Sequence, residues 1–276
     1  MALQEARVIA ARERAPIVVA CADGSGNRRG HHPGLAADPE WLTVIVLGDD
    51  DFVMYLGDNL IGTKIRESVE RFSADDLERA PLRADAIRLG RVLVDLMPDE
   101  PEAAGLLALM LLNESRAGAR FREGQLVQLA DQDRTGWDGA LITEGQQIVR
   151  DCIRRNHPGP YQLQAAIQAV HCDAKSFEQT DWAQIVSLYG HLYALMPTPV
   201  VALNRAIAMA EVSGPEMGLR QISAVSADLD GYHLMHAARA SMLRLLGHKD
   251  AAAVAYDRAA NLATTDTDRR FLREQV

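Results

Sequence analysis

Residues 247–260, GHKDAAAVAYDRAA, decide the fold of this chain. Gly247 predicts a turn, and Ala252, Tyr256 and Ala259 follow it at spacings of four and three, which places them on one face of a helix. Small residues on that face let two helices approach closely, and the aromatic ring fills the space between neighbouring helix pairs. The segment therefore predicts the second helix of a helical repeat.

Two earlier stretches repeat the order of helix, turn and helix. Residues 87–97 and 182–196 each end in Leu-Met before a proline, and apolar helical runs follow at 102–113 and 200–212. Proline cannot continue the hydrogen-bond ladder of a helix, and it disfavours helix in the residue before it. The sequence predicts an all-α, tetratricopeptide-like helical-repeat superhelix over residues 81–276, with a plain bundle of helical hairpins as the alternative.

The helix at 182–196 is predicted to bury one apolar stripe. Its apolar residues recur at spacings of three and four, as expected for a helix with one face in the core. They are Trp182, Ile185, Val186, Tyr189, Leu192, Tyr193 and Met196.

The first 80 residues differ in character from the rest of the chain. They contain glycine- and proline-rich stretches, and β-branched or aromatic runs predict strands at 17–21, 43–47 and 52–56. A helix is predicted at 61–72. We expect a short irregular or α/β segment at 1–80 before the helical domain at 81–276, and the sequence leaves open whether that segment is ordered.

Composition narrows the classes of function. The formal net charge of −9 argues against direct binding of nucleic acid by this chain, because phosphate neutralisation needs clustered Lys and Arg. No apolar run is long enough to span a bilayer and the N-terminus lacks the apolar region of a signal peptide, so we expect a cytoplasmic protein that does not bind a membrane. Cys21, Cys152 and Cys172 match neither a disulfide framework nor a zinc site, and reduced thiols are expected.

A polar cluster lies between the first and the middle helical pairs. Its members are Asp131, Gln132, Asp133, Arg134, Trp137 and Asp138. The aspartates suit capping of the following helix and pairing with Arg134, but they also suit a site that binds a partner or ligand. Trp137 is expected to be a packing anchor, with an exposed interface tryptophan as the alternative.

The histidines and glycines do not form a recognisable site. His233 and His236 lie one turn apart, but no third metal ligand is evident near them. His31 and His32 follow two arginines in a glycine-rich loop. This pattern is consistent either with a solvent-exposed loop tip or with an anion-binding site. Neither phosphate-binding glycine motif nor a nucleophile elbow is present, and we expect no catalytic residue, no metal and no cofactor.

Five strings in the helical part carry a family resemblance. They are ADAIRLGRVLVDLMPDEPEAAGLLALMLLNESR, LADQDRTGWD, GPYQLQAAIQAVH, TDWAQIVSLYGHLYALMPTPVVALNRAIAMAEVSGPEMGL and YHLMHAARASMLRLLG. Together they make residues 83–276 resemble the tetratricopeptide-like C-terminal extension of bacterial extracytoplasmic-function RNA polymerase sigma factors. The polar cluster matches that family's signature string.

This resemblance implies a role in regulating transcription initiation, with RNA polymerase or a sigma core as the protein partner. Residues 1–80 resemble neither of the DNA-binding domains that precede the extension in such sigma factors. The resemblance therefore implies a non-enzymatic interaction domain without its own promoter-binding part. A generic tetratricopeptide-like scaffold is an alternative.

A shorter resemblance covers residues 33–72. The string GDDDFVMYLGDN at 48–59 is similar to glucose-1-phosphate thymidylyltransferases, in which the aspartate of the GDN turn, here Asp58, helps to hold magnesium. The glycine-rich nucleotide loop and the rest of the sugar-binding domain are missing. This resemblance implies an inactive nucleotidyltransferase-like fragment, with Asp58 as a metal ligand only if the fragment were functional.

Overall fold

The protein is described by a computed structural model. It describes the backbone at residues 17–18, 42–47, 51–56, 59–60, 76–122 and 125–276, with side chains from residue 83 onward except at 123–124. The chain divides into two compact units, Met1–Ser73 and Ala74–Val276.

In the first unit, four described strands form one sheet. They are β1 (Ile17–Val18), β2 (Leu42–Leu47), β3 (Asp51–Leu56) and β4 (Asn59–Leu60). The sheet order is β1-β2-β3-β4; β1 pairs parallel with β2, and the other pairs are antiparallel. In the β2–β3 ladder Leu42 lies opposite Leu56 and Leu47 opposite Asp51. The strands predicted from the β-branched and aromatic runs at 43–47 and 52–56 are confirmed. The helix predicted at 61–72 lies outside the described residues.

In the second unit, nearly all of the described chain is helical. The helices are α1 (Asp76–Leu96), α2 (Pro101–Glu114), α3 (Gly139–Arg155), α4 (Pro160–Asp173), α5 (Trp182–Leu195), α6 (Pro199–Ser213), α7 (Pro215–Val225), α8 (His233–Leu245), α9 (Lys249–Leu262) and α10 (Asp266–Glu274). A two-stranded hairpin, β5 (Phe121–Arg122) and β6 (Gln125–Leu126), interrupts the series. The all-α prediction for this part is confirmed, and none of the described helices is long and apolar enough to cross a membrane.

The predicted helix pairs are present. Helix α1 ends at Leu96 and α2 begins at Pro101, while α5 ends at Leu195 and α6 begins at Pro199. Proline at the first helical position suits a helix start because the missing N–H would have no partner in the helix. Helix α1 begins at Asp76, so it already includes the residues around which the domain boundary is predicted.

The turn between α8 and α9 and the small-residue face of α9 follow the sequence pattern. Gly247 has a φ of +79°, a conformation that glycine adopts without steric cost. Ala252, Tyr256 and Ala259 are all buried, and Tyr256 and Ala259 contribute to a core formed by α8, α9 and α10. The small, aromatic, small spacing therefore marks a helix–helix contact, as predicted.

Helix α5 buries most of its predicted stripe. Ile185 and Leu192 are fully buried, and other apolar residues of the stripe pack against the same core. The prediction is wrong for Tyr193, whose side chain is 39% exposed. Tyr193 directly follows Leu192, so it is rotated by about 100° around the helix from the centre of the stripe.

Helix α2 is the centre of the first half of this unit, because it packs on α1, α3 and α4. Leu111 and Leu112 on α2 are fully buried. At Gly105 the backbones of α2 and α4 approach so closely that an added Cβ would lie 2.7 Å from the backbone nitrogen of Gln162. Glycine is required there by the approach of a neighbouring backbone.

The N-terminus of α4 is capped by a residue from α2. Gly159 precedes α4 and has no side chain to accept from its free N–H groups. The carboxylate of Glu102 accepts from the backbone nitrogens of Tyr161 at 3.0 Å and Gln162 at 3.3 Å, and from Gln162 Nε2 at 2.9 Å. A negative charge at this position also interacts favourably with the helix dipole.

Candidate functional site

The polar cluster lies in a segment that we call the polar loop, residues 128–138. It follows the β5–β6 hairpin and leads into α3. Two short 3-10 turns, Leu129–Asp131 and Arg134–Gly136, give the loop its shape. The predicted residues are therefore near one another, and each has a distinct environment.

Two aspartates of the loop act as caps. Asp133 Oδ1 accepts from the backbone nitrogen of Thr135 at 2.9 Å and from its hydroxyl at 2.6 Å, and these bonds lower the pKa of Asp133. Asp138 Oδ1 accepts from the backbone nitrogens of Ala140 at 2.9 Å and Leu141 at 3.1 Å, at the start of α3. The sequence-based expectation that aspartates cap the following helix is met at Asp138.

Arg134 fastens the loop to the end of α4. Its Nη1 donates to the backbone oxygens of His171 at 2.6 Å and Ala174 at 2.9 Å, and Nη2 donates to Thr180 Oγ1 at 3.3 Å. The last carbonyls of a helix have no partner within the helix, so a cation there satisfies them and interacts with the helix dipole. The hydrogen-bond acceptors of Arg134 among the described residues are thus uncharged oxygens. The predicted ion pair between Arg134 and the loop aspartates is not observed. Burial lowers the pKa of the Arg134 guanidinium.

Trp137 is a packing residue. Its side chain is 7% exposed, and the guanidinium carbon of Arg134 lies 5.0 Å from the centre of its ring. A cation above a tryptophan ring is favourable because the ring face carries negative charge. Trp137 therefore packs against Arg134 inside the protein, as the sequence-based expectation of a packing anchor predicts, and the alternative of an exposed interface tryptophan is not observed.

The side chains of Gln132 and Asp131 lie in different environments. Gln132 Nε2 donates to the backbone oxygen of Val127 at 3.2 Å, while its Oε1 is buried and has no hydrogen-bond partner among the described protein atoms. Asp131 is exposed at the end of the first 3-10 turn and lines a cavity with residues of α8 and α10. These two side chains do not contribute a described cap to the loop.

The residue beneath the polar loop was missed in the sequence because it carries no motif. His171, in the last turn of α4, is buried, and its ring makes an edge-to-face contact with Trp182 at 5.2 Å. Burial lowers the pKa of His171 to about 3, with the charges of Arg116 and Arg134 as further causes. His171 is therefore neutral near pH 7. A periodic pattern in α4 would place it in the core, but the sequence alone does not show its arginine neighbours.

No metal site is found in the part of the chain that the structure describes with side chains: no three His, Cys, Asp or Glu residues converge there. His236 Nε2 lies 2.8 Å from the backbone oxygen of Asp230, and burial lowers the pKa of His233. Cys152 and Cys172 are free thiols. His31, His32, Cys21 and Asp58 lie outside the described residues.

The exposed part of the polar loop is acidic, and we call it the acidic edge. Its members are Asp131, Asp133 and Asp138, together with Thr135 and Gly136. Arg134 and Trp137 lie beneath this edge and fix the conformation of the loop. The arrangement suits recognition of a basic or amide-rich surface by a loop of fixed shape, since little conformational freedom is lost on binding.

Comparison with known proteins gives two similarities. Residues 67–153 match the model of a family of unknown function, DUF6596, and this span contains α1, α2 and the whole polar loop. The chain is also 46% identical over 198 residues to an uncharacterized protein of Rhizobium meliloti (strain 1021). That alignment covers 71% of this chain and 47% of the relative, so the chain spans about half the length of the relative it matches.

Proposed function

We propose that the helical unit is a regulatory protein-interaction domain related to the C-terminal extension of extracytoplasmic-function sigma factors. In this proposal it acts in the cytoplasm by binding RNA polymerase or a sigma core, and it does not catalyse a reaction. The resemblance of the strings within residues 83–276 supports the proposal. The similarity to a protein about twice as long as the aligned region is consistent with a domain that works beside other domains.

The observation that carries the proposal is the way the polar loop is held. Arg134 makes three hydrogen bonds to α4 and the segment that follows it, and Asp138 caps α3. Both polar anchors serve the loop conformation, and the side chains of Asp131 and Asp133 remain exposed. A loop fixed in this way presents a constant surface, which favours specific binding over a flexible polar segment.

The charge of the acidic edge indicates which kind of partner surface it would bind. The acidic edge carries three carboxylates on a chain of formal net charge −9, so we expect it to approach a basic protein surface. The same negative charge disfavours direct contact with nucleic acid. Any effect on promoters would then pass through the protein partner.

Binding is tested with purified full-length protein, its host RNA polymerase and isolated sigma cores, by pull-down and by biolayer interferometry. We expect binding by the wild type and at least about a tenfold loss for Asp131→Arg, because a reversed charge opposes a basic partner surface. Asp131 makes no described side-chain hydrogen bond, so this substitution leaves the polar loop's internal contacts in place.

The matched control is Asp228→Arg, which makes the same charge change at an exposed turn residue between α7 and α8. It should bind as the wild type does. Failure of the wild type to bind polymerase and every sigma core would contradict the transcription role and favour a generic helical scaffold. Equal losses for the two variants would show that net charge, and not the acidic edge, governs binding.

A further inference from the structure

A cavity lies between the polar-loop region and the C-terminal helices. Its volume is about 310 Å3, and it is lined by residues from the β5–β6 hairpin, the polar loop, α8 and α10. The charged lining residues are Arg122, Asp131 and Arg244, and Phe271 adds an aromatic wall. The cavity thus joins segments more than a hundred residues apart in sequence.

The two arginines of the cavity differ in the interactions that their guanidinium groups make. Arg244 Nη1 donates to Gln275 Oε1 at 3.3 Å, a bond to a neutral oxygen at an exposed position. Arg122 is exposed at the end of β5; its guanidinium has no hydrogen bond or salt bridge among the described residues, although its charge contributes to the lowered pKa of Asp133. Two cationic groups therefore line the same cavity in a chain whose net charge is negative.

The remaining polar lining is also chemically specific. Gln125, Gln128 and Gln275 contribute amide groups that donate and accept hydrogen bonds, and Asp131 contributes one carboxylate. Guanidinium groups bind carboxylates through paired, charge-assisted hydrogen bonds. A carboxylate such as Asp131 suits an ammonium group, so the cavity offers opposite charges to the two ends of a small zwitterion.

We propose that this cavity binds a small zwitterion that carries a carboxylate and an ammonium group, the chemistry shared by a free amino acid and a short peptide. Arg122 and Arg244 take the carboxylate, and Asp131 takes the ammonium group. The volume lies at the lower end of the range for ligand pockets, about 300–1,000 Å3, which fits a ligand of this size.

Such a ligand would fasten the polar loop to the C-terminal helices. Hairpin strand β6 already packs against α10, and the cavity opens beside that contact. A ligand that bridges Asp131 and Arg244 stabilises this arrangement because it binds only when both walls are in place. This inference does not depend on the transcription role, since it concerns binding by the isolated protein.

The test uses the full-length chain and each standard L-amino acid and alanyl dipeptide, added singly at about 5 mM, with thermal shift followed by calorimetric titration of the best probe. The two probe sets distinguish a free amino acid from a peptide. We expect at least one probe to bind with a dissociation constant of about 1 mM or tighter. Its C-terminal amide, which lacks the carboxylate, and its N-acetyl form, which lacks the ammonium group, should each bind at least about tenfold more weakly.

Variants then locate the site. Arg122→Ala and Arg244→Ala should each weaken the best probe by about tenfold or more, since each removes a charge-assisted contact. Arg220→Ala, at an exposed position on α7 outside the cavity, is the control and should leave binding unchanged. The proposal is overturned if no probe binds, if both cavity variants bind as the wild type does, or if the N-acetyl form binds as tightly as its parent.

Discussion

Helix α4, which precedes residues 174–181, and the helices that follow them are held at their ends in two different ways. In the first half, α4 receives its N-terminal cap from Glu102 on α2 and its C-terminal partner from Arg134 in the polar loop. These bonds join residues 59 and 37 positions apart. The helix therefore depends on segments that reach it only once the tertiary structure has formed.

In the second half, the described caps are local. Asp181 accepts from the backbone nitrogen of Gln184, and Thr198 accepts from that of Val201, each three residues away. Thr265 does the same for α10. Each helix there mainly contacts its sequence neighbours, as in repeat proteins whose stability is a sum over units and their interfaces.

This difference shows where the stability of the protein is most sensitive to substitution. Loss of Glu102 or Arg134 disturbs α4 together with a distant segment, whereas loss of a local cap such as Asp181 disturbs a single helix end. The acidic edge belongs to the sensitive half, because the same arginine that fixes the polar loop also satisfies α4.

The largest effect is expected for Arg134→Ala. It removes three charged hydrogen bonds and leaves the carbonyls of His171 and Ala174 without their partner, so the free energy of unfolding should fall by about 4 kcal/mol. Arg134→Lys should recover less than half of that loss, because a single ammonium group cannot reproduce the planar fork. Urea unfolding followed by circular dichroism measures both values.

The matched variant in the second half is Asp181→Ala, which removes a local cap of α5. It should cost about 1 kcal/mol, the usual value for an N-cap. If Arg134→Ala costs no more than Asp181→Ala, then the long-range bonds do not stabilise the first half in the way that we infer.

The pattern of small and aromatic residues predicts the second half well, since its contacts are between sequence neighbours. Gly247 and the buried face of α9 follow directly from spacing and side-chain size. The paired Leu-Met-Pro endings likewise locate the helix boundaries of α1 and α5 within a residue or two. Residue spacing and turn residues are sufficient to predict these helices because each helix packs mainly against its neighbours in sequence.

The first half is less predictable from sequence. A capping role for Asp138 follows from its place before an apolar helix, but nothing local shows that Arg134 reaches the end of α4 or that Glu102 reaches its start. The cavity beside Asp131 is equally hidden, because Arg244 comes from α8. These are contacts of distant segments, and single-sequence periodicity carries no information on them.

A second test compares two glycines inside helices of the two halves. At Gly105 an added Cβ meets the backbone of α4, so Gly105→Ala should destabilise the protein by about 3 kcal/mol, the upper end of the range for overpacking. At Gly190 on α5, apart from the adjoining residues and the backbone of the same helix, no atom lies within 4 Å of an added Cβ. Gly190→Ala should therefore stabilise by about 1 kcal/mol through helix propensity alone.

Thermal and urea unfolding of both alanine variants gives the comparison directly. Opposite signs for the same chemical change would separate close helix packing in the first half from an open helix surface in the second. A stabilising Gly105→Ala would mean that α2 and α4 can move apart at little cost, and the first half would then be less tightly coupled than the contacts indicate.

The last predicted effect depends on pH and belongs to His171 at the C-terminal end of α4. Its pKa in the folded protein is lowered to about 3 from an ordinary value of 6.5, chiefly by burial. Between these two values the unfolded chain binds a proton that the folded protein does not bind, so stability falls as pH decreases. From pH 8 to pH 5 this amounts to about 2 kcal/mol, and the loss continues until pH reaches the folded-state value.

The contribution is isolated by comparing the wild type with His171→Leu in urea unfolding between pH 8 and pH 5. Leucine retains an apolar side chain against Trp182 but cannot titrate, so the variant should lose less stability on acidification by about 2 kcal/mol. Parallel pH profiles for the wild type and His171→Leu would contradict a neutral, buried His171. They would also remove the main reason to expect the first half to be the more acid-sensitive one, because the charges of Arg116 and Arg134 add to the lowering of the pKa of His171, whereas the charge of Asp268 opposes the lowering of the pKa of His233 in the second half.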